Sequence, residues 1–102
     1  MAKVVKVAGV NDLSPGQGKV VHAEGQDLAL FNVDGTFHAI HNTCLHRGGP
    51  LGDGELKGTT VTCPWHGWQY DVTTGNNVKN PAVTVASFPV NVEGSDVLIE
   101  LP

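Results

Sequence analysis

Both cysteines of this chain stand within three residues of a histidine, in Cys44-Leu45-His46 and in Cys63-Pro64-Trp65-His66, with sixteen residues between the two pairs. Thiolate and imidazole are both good ligands for soft and borderline metal ions, and two such pairs can close on one centre if their loops lie side by side. That requirement limits the fold, because the sixteen residues must carry the chain out and back. Glu55-Leu56-Lys57 and Thr60-Val61-Thr62, joined by Gly58-Thr59, predict the hairpin that does so. A Cys₂His₂ zinc site would accept the same residue types, although zinc motifs favour Cys-x₂₋₄-Cys and His-x₃₋₅-His over two Cys–His pairs. A catalytic thiol with a histidine base would leave the second pair without a role.

The residues around the pairs are more specific. Cys63-Pro-Trp-His-Gly-Trp-Gln-Tyr-Asp-Val-Thr-Thr-Gly75 resembles the second ligand box of the Rieske-type [2Fe–2S] domains, and His46-Arg47-Gly48-Gly49-Pro50-Leu51 resembles the first. The resemblance implies one [2Fe–2S] cluster, with Cys44 and Cys63 on an inner iron and His46 and His66 on an outer iron at the surface. Gly48, Gly49 and Gly67 would then let backbone come close and give N–H bonds to sulfur. Histidine ligation leaves the oxidised centre neutral, where four thiolates would leave it at −2, so an electron is accepted more readily and its uptake couples to imidazole protons.

The same resemblance bears on potential. High-potential members carry an extra cysteine in each loop, joined as a disulfide, and a serine two residues after the second histidine. The matching positions here are Gly49, Trp65 and Trp68, while Tyr70 matches the family tyrosine and is expected to bond near Cys63. With fewer hydrogen bonds to sulfur, the expected potential is at the low end of the range, on the order of −150 mV.

A chain of 102 residues suits one domain, 1–102, with a cluster-binding subdomain at about 42–68. Abundant Val, Thr and Gly favour strands over helices. Strands are predicted at 3–8, 18–24, 27–33, 36–41, 55–57, 60–62, 68–72, 87–92 and 97–101. Asp34-Gly35 is the strongest hairpin signal, and a loop bearing Pro81 covers 76–83. The fold class is all-β: a Rieske-type antiparallel sandwich or barrel carrying a small cluster-binding hairpin subdomain.

A net charge of −4 disfavours nucleic acid and anionic membranes as partners, and suits a basic patch on a redox partner. No stretch is apolar enough to span a bilayer and the N-terminus shows no signal-peptide core, so the expected location is the cytoplasm, where metal ligation is expected over a disulfide. His22, His38 and His41 read as ordinary strand histidines, Trp68 as a core side chain, Lys79 as solvated, and Asp53 and Glu55 as turn and surface residues. Trp65 would shield the cluster or line a docking face, Arg47 would contact a partner or hold its own loop, and Pro81 would cover the cluster from a third side or simply make a turn.

As function, the resemblance implies a soluble one-electron carrier, a ferredoxin that passes electrons from a flavoprotein reductase to a terminal, Rieske-type oxygenase of aromatic catabolism. The chain is then no enzyme itself. An oxygenase catalytic subunit would need a further iron domain with two histidines and a carboxylate, and the 36 residues after His66 hold no histidine. The alternatives are the small subunit of an NAD(P)H-dependent assimilatory nitrite reductase, or a zinc-stabilised interaction module.

Overall fold

The structure, a computed structural model, describes residues 3–44, 48–65, 67–80 and 82–101. Among the described residues ten strands follow in chain order: β1 (Lys3–Gly9), β2 (Gly18–Ala23), β3 (Gln26–Val33), β4 (Thr36–His41), β5 (Glu55–Lys57), β6 (Thr60–Thr62), β7 (Gln69–Asp71), β8 (Ser87–Phe88), β9 (Val90–Glu93) and β10 (Asp96–Leu101), with a 3₁₀ turn η1 at Leu51–Asp53. They make three antiparallel sheets, in the orders β1-β10-β9, β2-β3-β4-β8 and β5-β6-β7. No helix among the described residues is long and apolar enough to cross a membrane. The fold is the all-β architecture expected.

Turn chemistry sets the register of the large sheet. Glu24-Gly25 and Asp34-Gly35 all have positive φ, the geometry of two-residue hairpin turns that match strand twist. The second pairs Val33 with Thr36 and carries the ladder down to Leu28 opposite His41, so β4 delivers the chain directly to Asn42 and Cys44.

Strand β3 explains why two cores exist. Its run Leu28-Ala29-Leu30-Phe31 is fully buried on both faces. Leu28 and Leu30 join a core with Val21, Phe37, Ala39, Val97, Ile99 and Leu101. Ala29 and Phe31 face the other way, into a second core with Ile40, Leu51, Val61, Tyr70 and both cysteines. Alternate residues of a strand point to opposite faces, so one strand serves as the wall between two cores. Each fully buried Leu or Phe contributes about 1.5–3 kcal/mol. The β5-β6-β7 sheet is thereby held against the back of the large sheet.

One expected element is corrected. The strand predicted over 87–92 is broken at Pro89 into β8, which pairs with β4, and β9, which pairs with β10 in a different sheet. Proline offers no N–H to a ladder, so the chain changes sheets there, while the Pro89 carbonyl accepts a bond from the Glu100 N–H at 3.0 Å.

Candidate metal centre

The two cysteine loops are built on one plan. The first is closed by the Thr43–Pro50 bridge and the second by the Thr62–Gln69 pair of β6 and β7. The Cys44 N–H donates to the Gly49 carbonyl at 2.9 Å, and the Cys63 N–H donates to the Trp68 carbonyl at 2.7 Å. Gly48 then donates to the Cys44 carbonyl at 2.7 Å and Gly67 to the Cys63 carbonyl at 3.3 Å. Both glycines sit at φ 74°, which an L side chain adopts only with strain.

The N–H groups of Gly48 and Gly67 thus close their loops on carbonyl oxygens. It is the Trp65 backbone N–H that reaches the Cys63 thiol.

Both thiols are buried, each at 1 % exposure, and they meet each other. Burial pushes the Cys63 thiol above its ordinary value, and the neighbouring Cys44 raises it further, while the Trp65 N–H works in the opposite direction. Two apposed thiols in an apolar core are costly to ionise without a cation to share the charge. Metal ligation supplies that cation, so the pocket suits a centre that takes two thiolates.

Close approach between the loops depends on Gly49. A Cβ there would lie 2.6 Å from the Cys63 Sγ and 3.1 Å from Trp65 Cβ and Cγ. The Tyr70 hydroxyl, fully buried, lies 3.6 Å from the Cys44 Sγ, so it reaches the thiol of the first loop, where the sequence pointed to the surroundings of Cys63. η1 is fixed behind the first loop by Asn42, whose carbonyl accepts from Leu51 and whose side-chain oxygen accepts from Gly52, at 2.7 and 2.8 Å.

A third loop closes on the second. Its Val78 N–H donates to the Gln69 carbonyl at 2.9 Å, and Asn77 Oδ1 accepts from Lys79 and Asn80. A groove of about 380 Å³ lies between Gly67, Trp68 and Gln69 on one side and Asn77, Lys79, Asn80 and Val83 on the other.

Of the four expected ligands, Cys44 and Cys63 are brought together, whereas His46 and His66 lie outside the described residues, as do Arg47 and Pro81. His22 bonds Asp27 across the β2–β3 hairpin, and His41 Nδ1 accepts from the Thr43 N–H at 3.4 Å. Trp68 packs against the second core and Trp65 is half exposed. Gly49 gives the close approach that the resemblance implied, whereas the part that Asn42 plays had no motif to announce it.

Comparison with known proteins agrees with this geometry. Residues 3–89 match the Rieske [2Fe-2S] domain family. The ferredoxin component of the naphthalene 1,2-dioxygenase system of Pseudomonas putida is 33% identical over 100 residues, 97% of this chain and 96% of that protein. A ferredoxin solved in complex with the oxygenase of carbazole 1,9a-dioxygenase matches with a TM-score of 0.86 and 33% identity, over 94% of this chain and 91% of that one. A nitrite reductase small subunit from Mycobacterium tuberculosis superposes with a TM-score of 0.92 over 100% of this chain and 97% of that one, but at 23% identity, a likeness of fold alone. The chain therefore belongs to the Rieske [2Fe-2S] domain family, and its cofactor is a Rieske-type [2Fe–2S] cluster.

Proposed function

We propose that this chain is the ferredoxin of a multicomponent aromatic-ring dioxygenase system, a soluble, cytoplasmic carrier of single electrons from a flavoprotein reductase to a terminal oxygenase. Cys44 and Cys63 would hold one iron of the cluster and His46 and His66 the other. The bound cluster supplies one-electron oxidation and reduction. The protein supplies the rest: two buried thiols that give up their protons on ligation, loops fixed by backbone bonds, and an apolar core that keeps water from the sulfur atoms.

The single observation that carries the reading is the apposition of the two buried thiols on loops of matched closure. The relatives with which the chain shares a third of its residues over nearly its whole length are ferredoxin components of dioxygenase systems, acting with naphthalene in one case and carbazole in another. Likeness to a nitrite reductase subunit is confined to fold, which gives that alternative less support.

A redox titration of the purified protein, followed optically and by electron paramagnetic resonance across pH, tests the proposal. One step at low potential is expected, on the order of −150 mV, flat near neutrality and falling in alkali as ligand imidazoles ionise. Iron and acid-labile sulfide are assayed alongside. Stoichiometric zinc without sulfide would replace the carrier by a zinc-stabilised module. The ligand assignment is tested by Cys63→Ala and His66→Cys, each expected to abolish the native spectrum; a variant that kept it would remove its residue from the set.

A further inference from the structure

Strand β5 is an open edge of its three-stranded sheet. It pairs with β6 on one side, and among the described residues no strand pairs with it on the other. The Gly58-Thr59 turn sets Lys57 opposite Thr60 and Glu55 opposite Thr62, the two pairs that exchange ladder hydrogen bonds. Leu56, between them, therefore turns its N–H and C=O outward, and neither meets a backbone partner among the described residues. The far edge of the same sheet is occupied. Tyr70 of β7 is bridged to Asn77, and the Val78 N–H donates to the Gln69 carbonyl at 2.9 Å.

The side chains along β5 complement their own reverse. Glu55 and Lys57 are exposed on one face, where they share a groove with Thr60, Thr62 and Gln69. Leu56 points to the opposite face and packs, partly buried, against the second core. Neither Glu55 nor Lys57 has an ion pair among the described residues, whereas Lys3 and Lys6 are met by Glu24 and Asp96. An unpaired edge that carries one acid and one base, two residues apart, can satisfy both only across a two-fold axis.

We propose that two copies of this chain associate through β5, antiparallel about a two-fold axis at Leu56. That register sets the two Leu56 residues opposite each other, where their outward N–H and C=O groups exchange two hydrogen bonds. It also sets Glu55 of each copy opposite Lys57 of the other, at a cross-strand Cβ spacing of about 4.5–5.5 Å over which opposite charges attract. One step further on, Gly54 faces Gly58, so no side chain there opposes the approach. Sliding the copies by two residues either way puts Glu55 against Glu55 or Lys57 against Lys57, so charge fixes the register. The contact closes on itself. With β5 used and β7 already bridged, the joined sheet keeps no edge of this kind, and association stops at the dimer. A three-residue edge buries far less than the about 1,200 Å² at which standard interfaces begin, so the dimer is weak and reversible. The inference does not depend on the carrier reading.

Sedimentation of the cluster-loaded protein over a rising concentration series tests the proposal. Monomer is expected at low concentration and dimer as it nears about 1 mM, where even a millimolar contact is half formed. Glu55→Lys and Lys57→Glu each place like charges opposite, and each should weaken association at least about tenfold. Mixing the two variants sets a lysine-bearing edge against a glutamate-bearing one, and the mixture should associate again. The double variant Glu55→Lys/Lys57→Glu restores both pairs within one sequence and should dimerise as the parent does. Recovery in these two samples separates a lost contact from a lost fold. A parent still monomeric at the top of the series, single variants that associate as well as it does, species larger than dimers, or a mixture that stays monomeric while both variants keep their cluster would each overturn the proposal.

Discussion

Gly49 lies against Cys63 so closely that a Cβ on it would stand 2.6 Å from the Sγ, and its other near neighbour is the Trp65 ring at 3.1 Å. Its carbonyl meanwhile accepts the Cys44 N–H at 2.9 Å. One residue thus sets the spacing of both loops, at the positions where high-potential Rieske proteins carry a disulfide. Here the loops are held by backbone bonds and by packing of Trp65 over Gly49, with no covalent link between those positions.

Gly49→Ala should therefore separate the loops. The added methyl has no flexible neighbour to displace, since the atoms it meets are the buried Cys63 sulfur and the Cβ and Cγ of Trp65. Overpacking of this kind costs ~1–3 kcal/mol. The expected result is a lower melting temperature and substoichiometric iron and sulfide, read by thermal denaturation and metal analysis. Full cluster content at unchanged stability would show that the loops can part without consequence.

The local part of this arrangement was legible in the sequence and the non-local part was not. Asp34-Gly35 and Gly58-Thr59 name their hairpins because turn geometry is decided by a few adjacent residues. The break at Pro89 went unread because the alternation of 87–92 is that of one strand; the proline's missing N–H breaks the ladder, and its two halves then pair with β4 and β10 in different sheets. The pairing of the two cysteines was readable from spacing and resemblance. The matched closure of the loops was not, because backbone groups make it, and the residues in equivalent places, Gly49 and Trp68, have nothing in common as side chains. Tyr70 was singled out by its match to the family tyrosine, and β6–β7 pairing and burial set its hydroxyl 3.6 Å from the Cys44 Sγ, beside the paired thiols.

Tyr70→Phe isolates that hydroxyl. The ring fills the same volume in the second core, so the fold should survive. A hydroxyl bonded to a ligand sulfur favours the reduced, more electron-rich centre, and its removal lowers the potential. A bond worth ~1 kcal/mol more in the reduced state corresponds to roughly 40 mV for one electron. Redox titration of the variant should show a shift of that order downward with cluster content unchanged. No shift, or an upward one, would mean that the hydroxyl serves packing alone.

Gly75→Ala probes the anchor of the third loop. Gly75 sits at φ 84°, and a Cβ would lie 2.1 Å from the Val85 carbonyl oxygen, which is backbone and cannot swing aside. Its N–H donates to Asp71 at 2.7 Å and its carbonyl accepts from Val85 at 2.9 Å, so the site ties 76–83 to β7. Strain and overlap together should destabilise by ~2–4 kcal/mol. Chemical denaturation measures it, and a cost under ~1 kcal/mol would mean the loop relaxes freely.

The raised Cys63 thiol makes the cluster-free protein sensitive to alkali. In the unfolded chain the thiol ionises near its ordinary 9.0; in the folded chain burial and the neighbouring Cys44 hold the proton on to higher pH. Between those two points the unfolded chain has lost a proton that the folded chain keeps, so stability falls as pH rises through the window and is intact below 9.0. Denaturation of cluster-free protein in steps from pH 8 upward should show a decline that Cys63→Ser lacks, the serine serving as control for every other group. The loaded protein should not share this component, because ligation has already removed the proton in the folded state. Equal declines in the cluster-free protein and its Cys63→Ser variant would assign the alkaline sensitivity to other groups and leave the thiol pair without a part in it.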